Sequence, residues 1–220
     1  MQKNTHTVVC GLNHSVALRT NGTITCWGDN KLNQCDPVHL TFKDAIQVAC
    51  GSNYSAVLLT NGTVQCWGSN KYNRCNPLCS TFTNVINVTC GNDYSVVLFS
   101  NGTVQCWGYD FNIAWYQCDP VLHLTFTNVI QVACGDHHLV VLFSNGTVQC
   151  VGNISDHSCY HPIHHTFTNV IQVACGYSHS VALLSDGTVR CWGSDMFDQC
   201  DPVHLTFTDV MIPCTNALLW

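Results

Sequence analysis

Residues 48–68 read VACGSNYSAVLLTNGTVQCWG, and this stretch decides the fold. Two apolar runs, Ser55–Leu59 and Val64–Trp67, flank an Asn-Gly step at Asn61 and Gly62. That arrangement is the strongest short-range signal for a β-hairpin. The segment upstream of each hairpin, such as Val85–Cys90 before the next one, reads as a further strand. Val38–Phe42 and its equivalents read as a fourth.

The same pattern recurs along the chain, and a fixed period of this length signals a repeat architecture. A Cys-Gly pair opens each unit, at Cys10, Cys50, Cys90, Cys134 and Cys175, with offsets of 40, 40, 44 and 41 residues. A second cysteine follows 16 residues later, at Cys26, Cys66, Cys106, Cys150 and Cys191, and a third at Cys35, Cys75, Cys118, Cys159 and Cys200. All 15 glycines fall at three places per unit: after the first cysteine, in the turn, and closing the third strand at Gly28, Gly68, Gly108, Gly152 and Gly193. A position that is always glycine implies positive φ or a close backbone approach. Four short antiparallel strands make one propeller blade. The expected fold is therefore all-β, a β-propeller-like array of five blades in a closed ring or an open spiral. It forms a single repeat domain over residues 1–220, with repeats at 7–46, 47–86, 87–130, 131–171 and 172–209. Residues 210–220 begin a sixth unit at Cys214 or supply a closing strand.

The run from Cys50 to Leu58 followed by Asn61 to Gly68 resembles the repeat of the regulator of chromosome condensation superfamily, in a short, cysteine-rich form. The resemblance covers nearly the whole chain and implies a β-propeller, usually of seven blades. Family repeats usually end in a Gly-Gln-Leu-Gly step. Here that step reads Asn33, Gln34, Cys35 and Asp36, with Asn able to adopt the left-handed conformation of the first glycine. Guanine-nucleotide exchange in the family uses a protruding wedge, and the longest insertion here, near Tyr109–Tyr116, is too short for one. The ultraviolet-sensing members carry a tryptophan in the Gly-x-x-His segment, and none of the five equivalents here does. Some bacterial relatives inhibit β-lactamase, which keeps a protein-binding regulator or inhibitor among the alternatives.

Only 9% of residues are Asp, Glu, Lys or Arg, against roughly 25% in an average soluble domain. The net charge is −6 and the seven basic residues are scattered, so no stripe exists to follow a phosphate backbone. No run approaches the length of a membrane-spanning helix. Seventeen cysteines accompany eight Asn-x-Ser/Thr sequons, at Asn13, Asn21, Asn53, Asn61, Asn87, Asn101, Asn145 and Asn153. Together they predict an oxidising, extracellular or particle-surface setting with glycans, although Met1–His6 carry no apolar signal segment.

Zinc sites show tight cysteine pairs. The only close one, Cys75 and Cys79, occurs in a single repeat, so disulfides are expected and neither a metal nor a cofactor is. Joining first to second, second to third, or third to next-first cysteines each gives five bonds, and the count alone does not choose between them. Family members from reducing compartments also carry the first cysteine. The resemblance thus implies pairs Cys26–Cys35, Cys66–Cys75, Cys106–Cys118, Cys150–Cys159 and Cys191–Cys200.

His14, His138 and His179 share one repeat position with Tyr54 and Tyr94, which predicts packing with one hydrogen bond. His161, His164 and His165 read as a solvated loop, and the in-register Trp27, Trp67, Trp107 and Trp192 as blade packing. The insertion is different: Tyr109, Phe111, Trp115 and Tyr116 crowd one loop, the composition of a partner contact. No nucleophile, base and orienting group converge, so the chain is expected not to be an enzyme. The leading expectation is a structural or protein-interaction propeller, assembling into a fibre or a coat such as that of a virion. Its partner would be a further copy or another protein; a glycan-binding lectin is the alternative. The surplus strand at 210–220 suggests docking on a neighbouring subunit through Leu219 and Trp220.

Overall fold

The structure, a computed structural model, describes residues 7–36, 42, 44–75, 82–108, 126–152, 159 and 167–200. Five three-stranded antiparallel sheets follow one another in chain order. The first holds β1 (Thr7–Cys10), β2 (His14–Leu18) and β3 (Ile24–Gly28). The second holds β4 (Ala45–Cys50), β5 (Tyr54–Leu59) and β6 (Val64–Gly68), and the third β7 (Val85–Cys90), β8 (Tyr94–Phe99) and β9 (Val104–Gly108). The fourth holds β10 (Val129–Cys134), β11 (His138–Phe143) and β12 (Val148–Gly152), and the fifth β13 (Val170–Cys175), β14 (His179–Leu184) and β15 (Val189–Gly193). Among the described residues the one helical element is the 3-10 turn Lys71–Asn73. The expected fourth strand, over 38–42, lies outside the described residues except for Phe42. Contacts divide the chain into two compact units, Met1–Ser100 with Gln105–Tyr109, and Asn101–Val104 with Asp110–Trp220.

The hairpin turn differs in detail from the simplest Asn-Gly expectation. A two-residue type I′ turn needs positive φ at both central residues, but only the glycine adopts it, Gly62 at φ 78°. The Gly62 N–H donates to the Leu59 carbonyl at 2.9 Å, so Asn61 sits at the third place of an ordinary turn and the glycine follows it in the left-handed region. The Asn61 side chain then takes a job of its own. Its Oδ1 accepts from the Thr63 N–H at 3.0 Å and from Thr63 Oγ1 at 2.7 Å, closing an Asx turn. The same pair of bonds recurs at Asn21, Asn101 and Asn145.

A bulge breaks the register of the first strand in repeats two to five, between Ala45 and Gln47 and their equivalents. One extra residue re-aims its neighbours. Ile46, Ile86, Ile130 and Ile171 turn outward and are exposed, and the side chain after them is left free to reach sideways.

Cores form between consecutive sheets within each unit, and β5, β8 and β11 are apolar at successive positions and buried along their length. Val9 and Val16 of sheet one meet Val48, Cys50, Val57 and Trp67 of sheet two. Ala49, Ala56 and Leu58 of sheet two meet Val88, Cys90, Val97 and Trp107 of sheet three. In the second unit Ala133, Val140 and Leu142 of sheet four meet Val173, Cys175 and Ala182 of sheet five. Each fully buried valine or leucine contributes about 1.5–3 kcal/mol.

Candidate interaction surface

Three polar devices stitch one repeat to the next, each set by a fixed repeat position. The first uses the bulge. The Gln47 amide donates to the Val88 carbonyl at 3.0 Å and accepts from the Val88 N–H at 3.0 Å, capping both main-chain groups on the edge of β7. Gln131 does the same to Val173, at 2.9 and 3.0 Å. The second is a ring-to-hydroxyl bond: His14 Nε2 to Ser55 Oγ at 2.8 Å, His138 Nε2 to Ser180 Oγ at 2.9 Å, and Ser95 Oγ to Tyr54 Oη at 3.0 Å. In the third, the Trp67 indole N–H donates backwards to the Gln34 carbonyl at 2.9 Å, and that of Trp107 to the Arg74 carbonyl at 3.0 Å. Phe42 and Phe82 lie against these indoles with ring centroids 5.5 Å apart.

Histidine, serine and cysteine therefore meet at His14, Ser55 and Cys50, with Cys50 Sγ 3.7 Å from Ser55 Oγ. His138, Ser180 and Cys175 repeat the group, at 3.6 Å. All six side chains are buried, and burial pushes the His14 base down and the Cys50 and Cys175 thiols up, Cys175 to about 12. Buried and joined across the boundary between repeats, these side chains form part of a seam, the packing role expected for the shared histidine and tyrosine position. Arg74 is also buried in the seam between sheets two and three. It pairs with Asp93, donates to Ser69, and lies 5.6 Å over the Tyr54 ring.

The second and third cysteines are neighbours in the first, second, fourth and fifth repeats. Cys150 and Cys159 are joined, with Cα atoms 5.7 Å apart, and Cys106 is disulfide-bonded as well. Cys118 lies outside the described residues. Cys191 and Cys200 are thiols with sulfurs 2.8 Å apart. Cys26, Cys35, Cys66 and Cys75 are also thiols, and Cys35 and Cys75 donate to the Asp29 and Ser69 carbonyls at 3.3 Å. Asn33 and Asn73, with Asp198 in the fifth repeat, have φ of 63°, 59° and 58°, the left-handed conformation expected where the family carries glycine.

Of the sequons, Asn21, Asn61, Asn101, Asn145 and Asn13 are exposed, and Asn53 and Asn87 are half-buried. Asn153 lies outside the described residues, as do Tyr109, Phe111, Trp115, Tyr116, Leu219, Trp220 and the histidines of 161–165. One exposed apolar pair escaped the sequence reading. Met196 and Phe197, 82% and 84% exposed, occupy the loop after β15. Their signal was positional: the equivalent places hold Lys31 and Leu32 in the first repeat, and the aromatic insertion at 109–116 falls in the same loop of the third. Among the described residues no group of three or more His, Cys, Asp or Glu is placed to hold a metal ion.

Consecutive three-stranded sheets, stitched at fixed repeat positions within each unit, define a propeller-type repeat protein. The regulator of chromosome condensation (RCC1) repeat matches residues 6–34, 45–74, 85–112, 129–159 and 170–199, and a second profile of that repeat matches 145–183. These matches cover well over half of the chain, which therefore belongs to the RCC1 repeat family. The sequence matches no curated protein. Among solved structures it is similar to Prp20p from Saccharomyces cerevisiae, described with its binding to Gsp1p and histones (TM-score 0.66, 19% identity, covering 83% of this chain and 56% of that one). It is also similar to human WBSCR16 (0.68, 20%, 88% and 63%) and to the ectodomain of the Physcomitrella patens receptor kinase CR4 (0.66, 18%, 85% and 51%). The chain thus spans between half and two-thirds of the length of these proteins, and the likeness establishes the fold.

Proposed function

We propose that this chain is a non-catalytic, protein-binding module of the RCC1 type, working in an oxidising extracellular or particle-surface setting. The observation that carries the reading is the exposed pair Met196 and Phe197, on a loop braced from behind. Gln199 Oε1 accepts from the Phe197 N–H at 2.7 Å, and Asp195 Oδ1 accepts from the Cys200 N–H at 2.7 Å. Large apolar side chains on a rigid, solvent-facing loop are what binding hot spots are built from. The aromatic insertion at Tyr109, Phe111, Trp115 and Tyr116 falls at the same repeat position and belongs to the same kind of contact. A photo-crosslinking residue at 197, with one at 144 as control, should trap a defined polypeptide in the native source at 197 only. Specific glycan binding abolished by Phe197→Ser would instead make the module a lectin.

The setting is supported by the seventeen cysteines and eight sequons. In it, the pairs Cys26–Cys35, Cys66–Cys75, Cys106–Cys118 and Cys191–Cys200 close as Cys150–Cys159 does. Counting thiols in denatured native material should then find seven or fewer, the seventeen less the ten paired. Fifteen or more would place the protein in a reducing compartment. Assembly into a fibre or coat belongs to the same reading.

A further inference from the structure

The bulge turns one isoleucine outward near the start of a repeat's first strand. Ile86, Ile130 and Ile171 are 55%, 55% and 45% exposed, while Val85, Val129 and Val170 just before them are buried. A single exposed isoleucine needs no cover. These three recur in register, and each stands beside the same kind of neighbour.

That neighbour is the hairpin turn of the preceding repeat. In the second unit the Gly102 carbonyl accepts from the Val129 N–H at 3.1 Å, and the Gly146 carbonyl from the Val170 N–H at 3.0 Å. In the first unit a Cβ at Gly62 would lie 2.8 Å from the Asn84 nitrogen, two residues ahead of Ile86. The residue before each of these glycines is an exposed sequon asparagine: Asn101, Asn145 and Asn61. A main-chain contact therefore brings a sequon to the side of each outward isoleucine.

The asparagine is held ready. Asn101 Oδ1 accepts from the Thr103 N–H and from Thr103 Oγ1, and Asn145 Oδ1 from the same two groups of Thr147. N-glycosylation leaves that oxygen in place and uses Nδ2, which makes no hydrogen bond among the described residues at either position. A sugar on Nδ2 thus starts from a fixed amide, and little freedom remains to be lost on docking. A pyranose ring has a face lined by C–H groups and a rim of hydroxyls. It suits an isoleucine set among exposed polar side chains, as Ile130 is after Thr127 and Asn128. The fifth repeat shows which turn supplies the sugar. Its own turn carries Asp186 and no sequon, yet Ile171 is still outward, beside the turn of Asn145.

We infer that the first sugar on each of these turns covers the isoleucine of the following repeat: Asn61 on Ile86, Asn101 on Ile130, and Asn145 on Ile171. The donor is a lipid-linked oligosaccharide pyrophosphate. A bond forms between Nδ2 and the sugar C1, the lipid pyrophosphate leaves, and Nδ2 gives up one proton. The inference rests on the extracellular setting proposed above, and it gives the glycans a seat on the fold.

Carbene footprinting of the full chain from a secretory host tests it, with a diazirine-bearing amino acid as the apolar probe. Asn101→Asp removes one glycan and keeps a turn acceptor, as Asp186 does. It should raise labelling of Ile130 severalfold and leave Ile171 unchanged. Asn145→Asp should do the reverse. Trimming each glycan to its first sugar should leave both isoleucines protected. Equal labelling of Ile130 with and without the Asn101 glycan overturns the proposal, as does protection lost only when the outer sugars are trimmed. Ile130 shielded in Asn101→Asp overturns it too, because the chain's own residues 109–125, outside the described ones, would then be a sufficient cover. Sequons left empty by the host also overturn it. The setting falls separately, on the thiol count of native material, and the protein-binding reading on crosslinking at 197.

Discussion

His14 of the first repeat reaches across the seam to Ser55 of the second, Nε2 to Oγ, at 2.8 Å. The bond joins two sheets through one imidazole whose other nitrogen, Nδ1, is buried without a hydrogen-bond partner among the described residues. Burial lowers the ring's affinity for a proton, and Asp29 and the Tyr54 backbone offset this only in part.

Acid should therefore loosen the array at this seam. The folded-state pKa of His14 lies below its ordinary value near 6.5, so the unfolded chain binds more protons in the interval between them. Stability is complete above about pH 6.5 and falls as the pH drops towards the lowered folded value. His179 is lowered by burial in the same direction. Thermal melts from pH 8 to pH 5 should show a falling Tm. His14→Tyr, which installs the residue found at Tyr54 and Tyr94, should remove part of the fall. A Tm flat between pH 7 and pH 5 would contradict the assignment.

Gly51→Ala should destabilise the protein by about 1–3 kcal/mol through overpacking. The residue has no positive φ, so space is the constraint. A Cβ here would collide with the Tyr54 ring and lie 2.7 Å from the Gly91 carbonyl oxygen. If the clash is the cause, Gly51→Ala combined with Tyr54→Ala should cost less than the two single changes summed. Chemical denaturation of the four proteins measures the difference.

These two cases mark how far the sequence could be read. Periodicity and the Asn-Gly steps disclosed the sheets, and alternation of His14 with Tyr54 disclosed a packing position, because both are properties of one repeat. The Ser55 partner was not legible, since nothing along the chain says that position 14 of one unit faces position 55 of the next. The Gln47 clamp was hidden for the same reason, and its direction depends on a bulge that composition does not announce. Val8 and Val48 are the same residue at the same place, yet one is 54% exposed and the other 1%. Only the neighbour distinguishes them. Met196 and Phe197 are legible only as a departure between equivalent loops, where the first repeat carries Lys31 and Leu32.

Arg74→Met should be among the more damaging single changes in the first unit. Its guanidinium is 4% exposed and paired with Asp93, itself 24% exposed. Removing one partner strands the other, a loss of roughly 3–5 kcal/mol for a fully buried pair and nearer the lower figure for one with a partly wet carboxylate. Replacing both, as Arg74→Met with Asp93→Asn, should recover much of the loss. Urea titration would show it as a midpoint that falls and then returns, with an unchanged slope.

The seam thiols should be inert in the native protein. Burial raises Cys50 well above the ordinary thiol range, and Cys90 and Cys175 to about 12. The thiolate is the reactive form. Brief iodoacetamide treatment at neutral pH, before unfolding, should leave Cys50, Cys90 and Cys175 unlabelled and modify exposed Cys10 first. Mass spectrometry of the peptides reads the order directly, and early labelling of Cys90 would mean that the seam opens.

The last prediction separates two uses of one asparagine. Asn101 is a sequon residue, and its Oδ1 also closes the turn by accepting from the Thr103 N–H at 3.0 Å and from Thr103 Oγ1 at 2.6 Å. The fifth repeat shows that a carboxylate can do the structural part, since Asp186 Oδ1 accepts from the Thr188 N–H at 2.8 Å with no sequon present. Asn101→Asp should therefore leave stability within about 0.5 kcal/mol, as for a surface change that keeps its bonds. Asn101→Ala loses the turn acceptor and should cost about 1 kcal/mol. On protein made by a secretory host, both changes should remove the same glycan mass from the peptide carrying residue 101. If Asn101→Asp destabilises as much as Asn101→Ala, the amide itself and not its oxygen holds the turn. If neither changes the peptide mass, the turn keeps its asparagine for structure alone.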